Sequence, residues 1–437
     1  MKKSITAILA AVLALSILLT ACSKGGDNST GGNSTGGTKA ATHPKQDDPD
    51  AIPGANGMGE YGGNLSNTTD LYTHYPFTHG AGWIFYAPDR YSLYKISADG
   101  KSGKKMDLSA LMTEKIKWDG DHPLFNNTFK FYDGKVMFTD YYISADAKEA
   151  GSFHFGDSYG YVGSYTIGEY GFYIGEIDPN DPNGDNEDSA SAKKHPYLMR
   201  ELSKNNPKYK SDRSLNKDYV KPTMVKKLDR NGTLMHIDKT HIYYKGDDGF
   251  CYRIKHDGAS DTKIFKIPEK ESGTNGLTSP YMNFVGDYIY YKENRTLMRV
   301  KTNGTGQPEI IISDFGGMLS LNSAGDYLYF TTTTYFSGES PFYSERPYIG
   351  KLKISDAVPG KTAEELFEKT ERFEPNISGM GGYGQFDRLY ILGDWIFYND
   401  IYTHNGIGYT VFKMIKTDFT GFTDVHELLG IKPEDIK

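Results

Sequence analysis

The stretch Gly286–Tyr291, which reads Gly-Asp-Tyr-Ile-Tyr-Tyr, decides the fold. A Gly-Asp turn is followed at once by four aromatic or aliphatic residues. A second apolar run, Leu297–Thr302, then ends in the turn Asn303–Gly306 (Asn-Gly-Thr-Gly). Glycine suits turns with positive φ, and aromatic and β-branched residues after such a turn are typical of a strand buried on both faces. We call this unit of a turn and two strands the cassette.

The cassette is visible six times in the chain of 437 residues. The other copies begin at Gly82, Asp133, Thr240, Gly325 and Gly393. Repeats of roughly 40 to 70 residues, built from short strands and Gly/Asp turns, are typical of a β-propeller, because one four-stranded blade cannot bury both of its faces without a neighbour. The sequence therefore predicts an all-β fold, a β-propeller over residues 60–437, with six blades.

Two places depart from the regular spacing. Between residues 145 and 235 the gap between cassettes is about double the average, and Val225–Thr233 looks like an orphan second strand with its turn. One blade with long insertions or a degenerate seventh blade would account for the gap, and we favour six blades over seven. Thr362–Phe367 has the start of a capping box and predicts a short helix after the fifth cassette.

The cassettes resemble the propeller repeats of a bacterial domain of unknown function that is itself similar to the YWTD propeller of the low-density-lipoprotein receptor. Gly63–Asn67 resembles the opening of that family, and Asn283 and Asn322, each three residues ahead of a Gly-Asp pair, match its recurring asparagine. The resemblance covers about residues 60–425. It implies a six-bladed propeller on lipoproteins mainly of Gram-positive bacteria, and it brings no catalytic residues with it.

The first residues have the pattern of an export signal. Two lysines precede the apolar run Ile5–Leu19, which at fifteen residues is shorter than the roughly 20 that a bilayer span needs. The run ends in Leu19-Thr20-Ala21-Cys22, which resembles the lipobox of bacterial lipoprotein precursors. The resemblance implies cleavage after Ala21, with residues 1–21 as the signal peptide, and attachment of diacylglycerol and further acyl chains such as palmitate at Cys22.

Residues 22–59 follow as a Gly-, Ser- and Asn-rich segment without an apolar period. Such sequence behaves as a flexible coil, so we expect a disordered linker between the lipidated Cys22 and the propeller. Two or more acyl chains give stable anchoring. The expected location is the extracytoplasmic face of the cell membrane, on a Gram-positive surface rather than in a periplasm. Cys251 would then be the only free thiol, which excludes an intramolecular disulfide.

Charge is distributed unevenly along the chain. The formal charge of −7 and the pI near 5.9 argue against nucleic acid as a partner. Residues 193–230 nevertheless contain twelve Lys or Arg against four Asp or Glu, a net charge of +8. We interpret this segment as a basic insertion in the propeller. It either lies on anionic lipid or phosphate-bearing wall polymers, or keeps a surface insertion soluble.

Two motifs could indicate catalysis or metal binding, but both signals are weak. Gly156–Gly160 has the letters of the hydrolase elbow G-x-S-x-G, but no helix pattern follows it, so chance in a Gly-rich loop is the better account. Asp178–Asp188 is rich in the oxygen ligands that Ca²⁺ prefers. Placing Gly184 at the sixth position of an EF-hand loop puts Pro179 and Ala190 where acidic ligands are needed. We therefore expect no cofactor, with Ca²⁺ as the minor alternative, and no transition-metal site.

The long loop Thr331–Tyr348 supplies the candidate contact residues. Tyr335, Phe336, Phe342 and Tyr343 lie outside the strand pattern of the fifth cassette. Exposed aromatic side chains suit contact with a protein or a sugar. The alternative is that these four fold back over the propeller.

Taken together, these patterns predict a lipid-anchored, monomeric surface propeller that binds a protein or a cell-wall polymer without catalysing a reaction. The alternative is an extracytoplasmic enzyme that acts on glycans, which needs two or three carboxylates converging on the central channel. The sequence does not place such carboxylates, so no catalytic residue is assigned. Solute-binding proteins of transporters are excluded because they are α/β proteins with long helices, which this chain lacks.

Overall fold

The structure is a computed structural model, and its description is confined to part of the chain. The described residues are 77–89, 92–109, 111, 129–132, 134–138, 141–152, 165–167, 170–177, 194–202, 217–238, 240–268, 282–315, 318–332, 340–342, 346–375, 389–405 and 407–432.

These residues form seven four-stranded antiparallel sheets, and each sheet consists of four consecutive strands. We number the sheets as blades 1–7 in chain order. The strands of blades 1–4 are β1 Phe77–Gly80, β2 Trp83–Tyr86, β3 Tyr94–Ser97, β4 Gly103–Lys105; β5 Phe129–Tyr132, β6 Lys135–Phe138, β7 Tyr141–Ser144, β8 Ala150–Ser152; β9 Tyr165–Ile167, β10 Tyr170–Ile177, β11 His195–Leu202, β12 Thr223–Lys227; β13 Gly232–Ile237, β14 His241–Gly246, β15 Phe250–Lys255, β16 Thr262–Lys266. The strands of blades 5–7 are β17 Asn283–Val285, β18 Tyr288–Glu293, β19 Thr296–Lys301, β20 Glu309–Ile312; β21 Met318–Ala324, β22 Tyr327–Thr332, β23 Ile349–Lys353, β24 Glu371–Phe373; β25 Leu389–Leu392, β26 Trp395–His404, β27 Ile407–Lys416, β28 Thr423–Asp424.

The β-propeller prediction is confirmed, but the preferred number of six blades is wrong, because the described residues form seven. The additional blade is blade 3, in the gap between residues 145 and 235. The presumed orphan second strand is the outermost strand β12 of blade 3, followed by the crossover to β13. The described part of the basic segment 193–230 likewise supplies β11 and β12, so it contributes to the blade itself.

The predicted turns are present where the cassettes place them. Gly286, Gly325 and Gly393 have φ of 56°, 53° and 57° in the turns from the first to the second strand of blades 5, 6 and 7. In β18, the residues Ile289, Tyr290 and Tyr291 that follow the turn are all buried. The Gly-Asp pair therefore reverses the chain ahead of a core strand, as the sequence predicts.

Because every blade is a four-stranded antiparallel meander, its connections alternate between the two ends of the strands. The turns from first to second strand and from third to fourth strand lie at one end, which we call the turn face. The connections from second to third strand and the crossovers between blades lie at the other end, which we call the long-loop face.

The core is divided among hydrophobic clusters that join neighbouring blades. Six clusters of described residues pack blade 1 on 2, 3 on 4, 4 on 5, 5 on 6, 6 on 7 and 7 on 1. Buried asparagines reinforce two of these junctions. Asn283 Nδ2 donates to the Leu321 carbonyl at 3.1 Å, and Asn322 Nδ2 donates to the Leu389 carbonyl at 3.0 Å. The two asparagines singled out by the family resemblance thus link the innermost strands of successive blades.

Blades 7 and 1 meet without sharing a strand, because each sheet consists of consecutive strands. Side chains make the junction instead: Phe77 lies 4.4 Å from the Phe397 ring, centroid to centroid, and Trp395 Nε1 donates to the Ala98 carbonyl at 2.8 Å. The Trp395 ring lies so close to Gly100, whose φ is +70°, that a Cβ there would overlap it. We call this junction the seam.

Two short helices whose bounds are described accompany the blades. Helix α1, Ala363–Glu368, has Thr362 as its N-cap and a capping box with Glu365, which confirms the predicted helix. Helix α2, Val425–Leu429, follows β28 and packs at the seam, where the His426 Nε2 atom lies 2.9 Å from the Tyr86 hydroxyl. Neither of these helices is long and apolar enough to cross a bilayer.

Candidate binding face

The long-loop face collects the loops that the sequence marks as candidates. The connection 178–194 leaves β10 and enters β11 there, and the connection 333–348 joins β22 to β23 at the same face. Blade 7 replaces such a loop with a long hairpin of β26 and β27. The strands of three blades that these two connections and the hairpin join therefore have their ends on one side of the propeller.

The hairpin of blade 7 projects beyond its own sheet. β26 and β27 each have ten residues, whereas the strands that flank them, β25 and β28, have four and two. The pairing of β26 with β25 ends at Tyr398, but its pairing with β27 continues from Asn399↔Phe412 to His404↔Ile407. We call the projecting part, residues 399–412, the arm.

The tip of the arm exposes apolar surface. Tyr402 is 39% exposed and Ile407 is 57% exposed. Asn405 has φ of +50° directly after the first strand of the arm. In the sequence it is followed by Gly406, and Asn-Gly between two strands is a strong signal for a two-residue hairpin, so this pair is the signal from which the arm could have been predicted.

A buried ion pair lies at the root of the arm. Lys413 Nζ donates to Asp400 Oδ2 at 2.6 Å, and the two side chains are 9% and 1% exposed. Asp400 Oδ1 also accepts a hydrogen bond from the Ile401 backbone N–H at 2.8 Å. A buried charged pair adds little net stability but is costly to break, because one charge would be left without its partner. The pair therefore holds the two strands of the arm in register where they leave the sheet.

Further buried polar side chains lie at the same end of blades 6 and 7. Ser320, Thr331, Thr332 and Asn399 are all less than 3% exposed. The Thr332 side chain accepts a hydrogen bond from the Tyr348 N–H at 3.2 Å, which fixes the end of the 333–348 connection. Both blades therefore carry buried polar side chains at this end of their strands.

Of the four predicted contact aromatics, the structure describes one. Phe342 is fully buried, with its ring 4.9 Å from Phe315 and 5.3 Å from Phe367 in the core between blades 5 and 6. This side chain is therefore part of the core. Tyr335, Phe336 and Tyr343 lie outside the described residues.

The remaining sequence candidates are mostly beyond the described part. Ala21 and Cys22, the motif Gly156–Gly160 and the acidic loop Asp178–Asp188 all lie outside it. Within the described part, no group of three His, Cys, Asp or Glu side chains is arranged to hold a metal ion. Cys251 is fully buried in the core between blades 4 and 5, and burial raises the pKa of its thiol.

Blade 4 carries a polar network that sequence reasoning missed. Arg230 Nη1 donates to Asp261 Oδ2 at 2.9 Å and to the Tyr244 hydroxyl at 3.0 Å, and the Tyr244 hydroxyl donates to Asp261 Oδ1 at 2.8 Å. Burial, followed by a hydrogen bond to Asp248, raises the pKa of Tyr252 to about 12. The donors and acceptors satisfy one another, so the network stabilises the flank of the blade beside blade 3.

A second cluster on blade 4 lies on the turn face. Asp238 Oδ1 accepts from the backbone N–H groups of Thr240 and His241, each at 2.7 Å, and the Thr240 hydroxyl lies 2.7 Å from His241 Nδ1. Burial is the largest influence on His241 and lowers its pKa. The carboxylate organises a tight turn here, and the histidine contacts a hydroxyl of its own turn.

Comparison with known proteins adds little beyond the fold. No family model matches the chain, and no curated protein matches it. Several solved structures are similar at low identity. YCF48 bound to D1 peptide is 12% identical, with 59% of this chain and 64% of that chain covered and a TM-score of 0.26.

Two further structures are similar over most of this chain. The WD40 domain of SCAP from fission yeast is 8% identical to this chain. The match covers 82% of this chain and 88% of the SCAP chain, with a TM-score of 0.28. PorZ, a surface component of the type-IX secretion system of Porphyromonas gingivalis, is 10% identical, covers 84% of this chain and 46% of that chain, and has a TM-score of 0.29. The seven four-stranded sheets of the described residues define the class as the seven-bladed β-propeller.

Proposed function

We propose that this protein is a lipid-anchored surface propeller that binds a protein partner through its long-loop face and catalyses no reaction. The arm is the observation that carries the proposal. It exposes Tyr402 and Ile407 on a hairpin whose root is fixed by the buried pair Asp400–Lys413. Rigid presentation of an aromatic and an aliphatic side chain is typical of an interface anchor, because little conformational entropy is lost on binding.

Isolation of the partner tests this function directly. The immobilised chain from Ser23 onward is incubated with detergent-solubilised envelope of the source organism, and bound proteins are identified by mass spectrometry. The double variant Tyr402→Ala, Ile407→Ala should reduce recovery of a stoichiometric partner by roughly tenfold, the loss expected when anchor side chains are truncated.

Tyr170→Ala with Ile310→Ala is the matched control. These side chains are 39% and 54% exposed, close to the values of the arm residues, but they lie on blades 3 and 5. The control should bind as the unaltered chain does. Equal recovery with all three chains, or recovery of wall polymer that is lost as salt rises, would contradict binding of a protein through the arm.

Membrane anchoring is the second part of the proposal, and the lipobox-like Leu19–Cys22 supports it. Full-length chain expressed in a lipoprotein-processing bacterium should incorporate labelled palmitate and end at Cys22 after cleavage, as read by mass spectrometry. Cys22→Ala should abolish both. Labelling that persists in this variant would place the acyl group elsewhere, and an intact precursor in the unaltered chain would exclude processing at this site.

A further inference from the structure

The outer edge of blade 3 combines positive charge with exposed apolar side chains. Its lysines, which are all exposed, are Lys217, Lys221, Lys226 and Lys227. None of the four forms an ion pair with another residue of the described structure. Asp218 is the single acidic residue between 217 and 227, so this edge has a net charge of +3. We call residues 217–227 the basic rim.

Apolar side chains lie between these lysines. Val220 is 50% exposed and Met224 is 37% exposed. Lysines on an outermost strand protect it from pairing with another chain. That role does not explain why aliphatic side chains are exposed beside them. Lysine interspersed with exposed aliphatic residues is instead typical of surfaces that lie at a membrane interface, where the charges meet headgroups and the apolar groups enter the boundary with the acyl chains.

The rim is held in place by the neighbouring blade. β12 pairs with β11 from Thr223↔Arg200 to Lys227↔Tyr197. On its other side, the Cβ of Lys226 packs against Gly258 in a turn of blade 4. If Gly258 carried a Cβ, that atom would lie only 2.8 Å from the Lys226 Cβ. The connection from β11 to β12 lies at the turn face. The rim is therefore a fixed part of the propeller that reaches toward the turn face.

We propose that the basic rim rests on an anionic lipid bilayer, with its four lysines over phosphate headgroups and Val220 and Met224 at the acyl boundary. This inference rests on the proposed function, because it concerns a propeller kept near a membrane. Contact through the rim turns the turn face toward the bilayer. It leaves the long-loop face, with the arm, accessible to a partner.

Vesicle co-sedimentation tests the rim separately from the anchor. The chain from Ser23 onward lacks Cys22 but keeps every described residue of the propeller. It should bind vesicles of phosphatidylcholine with about one third phosphatidylglycerol, and not vesicles of phosphatidylcholine alone. Replacing all four rim lysines by glutamine should lower the partition coefficient at least roughly tenfold.

A charge-matched control replaces exposed lysines elsewhere, namely Lys101, Lys104, Lys301 and Lys353, by glutamine. It should partition as the unaltered chain does. Val220→Ser with Met224→Ser should weaken binding by roughly threefold or more, because burial of apolar groups contributes to interfacial binding. No binding to anionic vesicles would overturn the proposal. Loss with the lysine variant but not with the Val220, Met224 variant would also overturn it, because it would indicate contact through charge alone, without apolar side chains at the acyl boundary. Either result leaves palmitate labelling at Cys22 unaffected.

Discussion

Ala147 occupies a backbone conformation that other blades give to glycine. At the same turn between third and fourth strands, Gly100, Gly258 and Gly304 have φ of 70°, 83° and 73°, while Ala147 has 60°. A residue with a Cβ is less stable by about 1 kcal/mol than glycine in this left-handed backbone region. Ala147→Gly should therefore raise the free energy of unfolding by about 0.5 to 1 kcal/mol in urea titrations.

Ala145→Gly is the control, because Ala145 lies in the same turn and is absent from the residues with positive φ. This change should lower stability, since glycine gains freedom in the unfolded chain without relief of strain. Equal effects at the two positions would contradict the argument.

Asn322 is expected to matter for the junction of blades 6 and 7. Asn322→Ala removes the donor to the buried Leu389 carbonyl and should lower the free energy of unfolding by about 1 to 3 kcal/mol. Asn303→Ala provides the comparison, because the exposed Asn303 only caps a turn within blade 5. Thermal and urea unfolding should show the smaller loss at residue 303.

The role of these buried asparagines was only partly accessible to sequence reasoning. The resemblance marked Asn283 and Asn322, but each donates its hydrogen bond to a backbone carbonyl on a strand 38 or 67 residues further along the chain. Such a contact depends on how blades pack on one another. A repeated cassette predicts that packing but not its hydrogen bonds.

Among the elements, β23 contains a glycine that a neighbouring ring requires. Gly350 pairs with Phe330 of β22, and a Cβ at residue 350 would overlap the Phe330 ring. Phe330 is fully buried and cannot swing aside, so Gly350→Ala should cost about 1 to 3 kcal/mol of stability. Gly408→Ala is the comparison, because Gly408 also lies in a strand without a positive φ and its added Cβ would meet only the Ile401 Cγ2 atom, at 3.1 Å, so the loss should be smaller.

The elements that sequence reasoning missed are those with imperfect cassettes. In the sequence of blade 3, Gly168-Glu169 precedes the second strand at Tyr170, so Glu replaces the usual Asp, and Gly171 interrupts the apolar run. The arm lies outside the cassette that follows Gly393-Asp394, and its sequence signal is the pair Asn405-Gly406 further on. The regular cassettes of blades 5, 6 and 7 gave turns and core strands where they were predicted.

For the whole molecule, buried histidines predict a loss of stability in mild acid. Burial lowers the pKa of His79, His236 and His426 to about 4. In the unfolded chain their pKa is near 6.5, so between these values the unfolded state binds more protons. Stability should be complete above pH 6.5 and fall toward pH 4, by about 1.4 kcal/mol per pH unit for each histidine.

Urea unfolding between pH 7 and pH 4.5 measures this slope. His236→Phe keeps an aromatic ring over Phe284, which lies 4.2 Å from the histidine ring, but does not titrate. In this variant, the unfolding free energy should fall less steeply with decreasing pH, by the contribution of one histidine, about 1.4 kcal/mol per pH unit. Asp146, with a pKa of about 2, loses its contribution only at lower pH and does not confuse the result. An unchanged slope in His236→Phe would exclude the histidine explanation.

The seam predicts a special role for the end of the chain. A chain that stops after Asp424 loses α2, including the buried Val425 and the contact of His426 with Tyr86. Its unfolding free energy should fall by about 3 kcal/mol or more, because at least one aliphatic side chain and a buried polar contact are removed. A chain that stops after Lys432 keeps every described residue and should unfold as the chain of 437 residues does.

The same seam has a mechanical consequence. Force applied between Phe77 and Lys432 acts on two blades that share no strand, so no ladder of backbone hydrogen bonds bears the load. Tension would first part the aromatic contacts of Phe77 and Trp395, while each sheet stays intact. Under load, we therefore expect the junction between blades 7 and 1 to separate first, and each of the seven blades to unfold only at higher force.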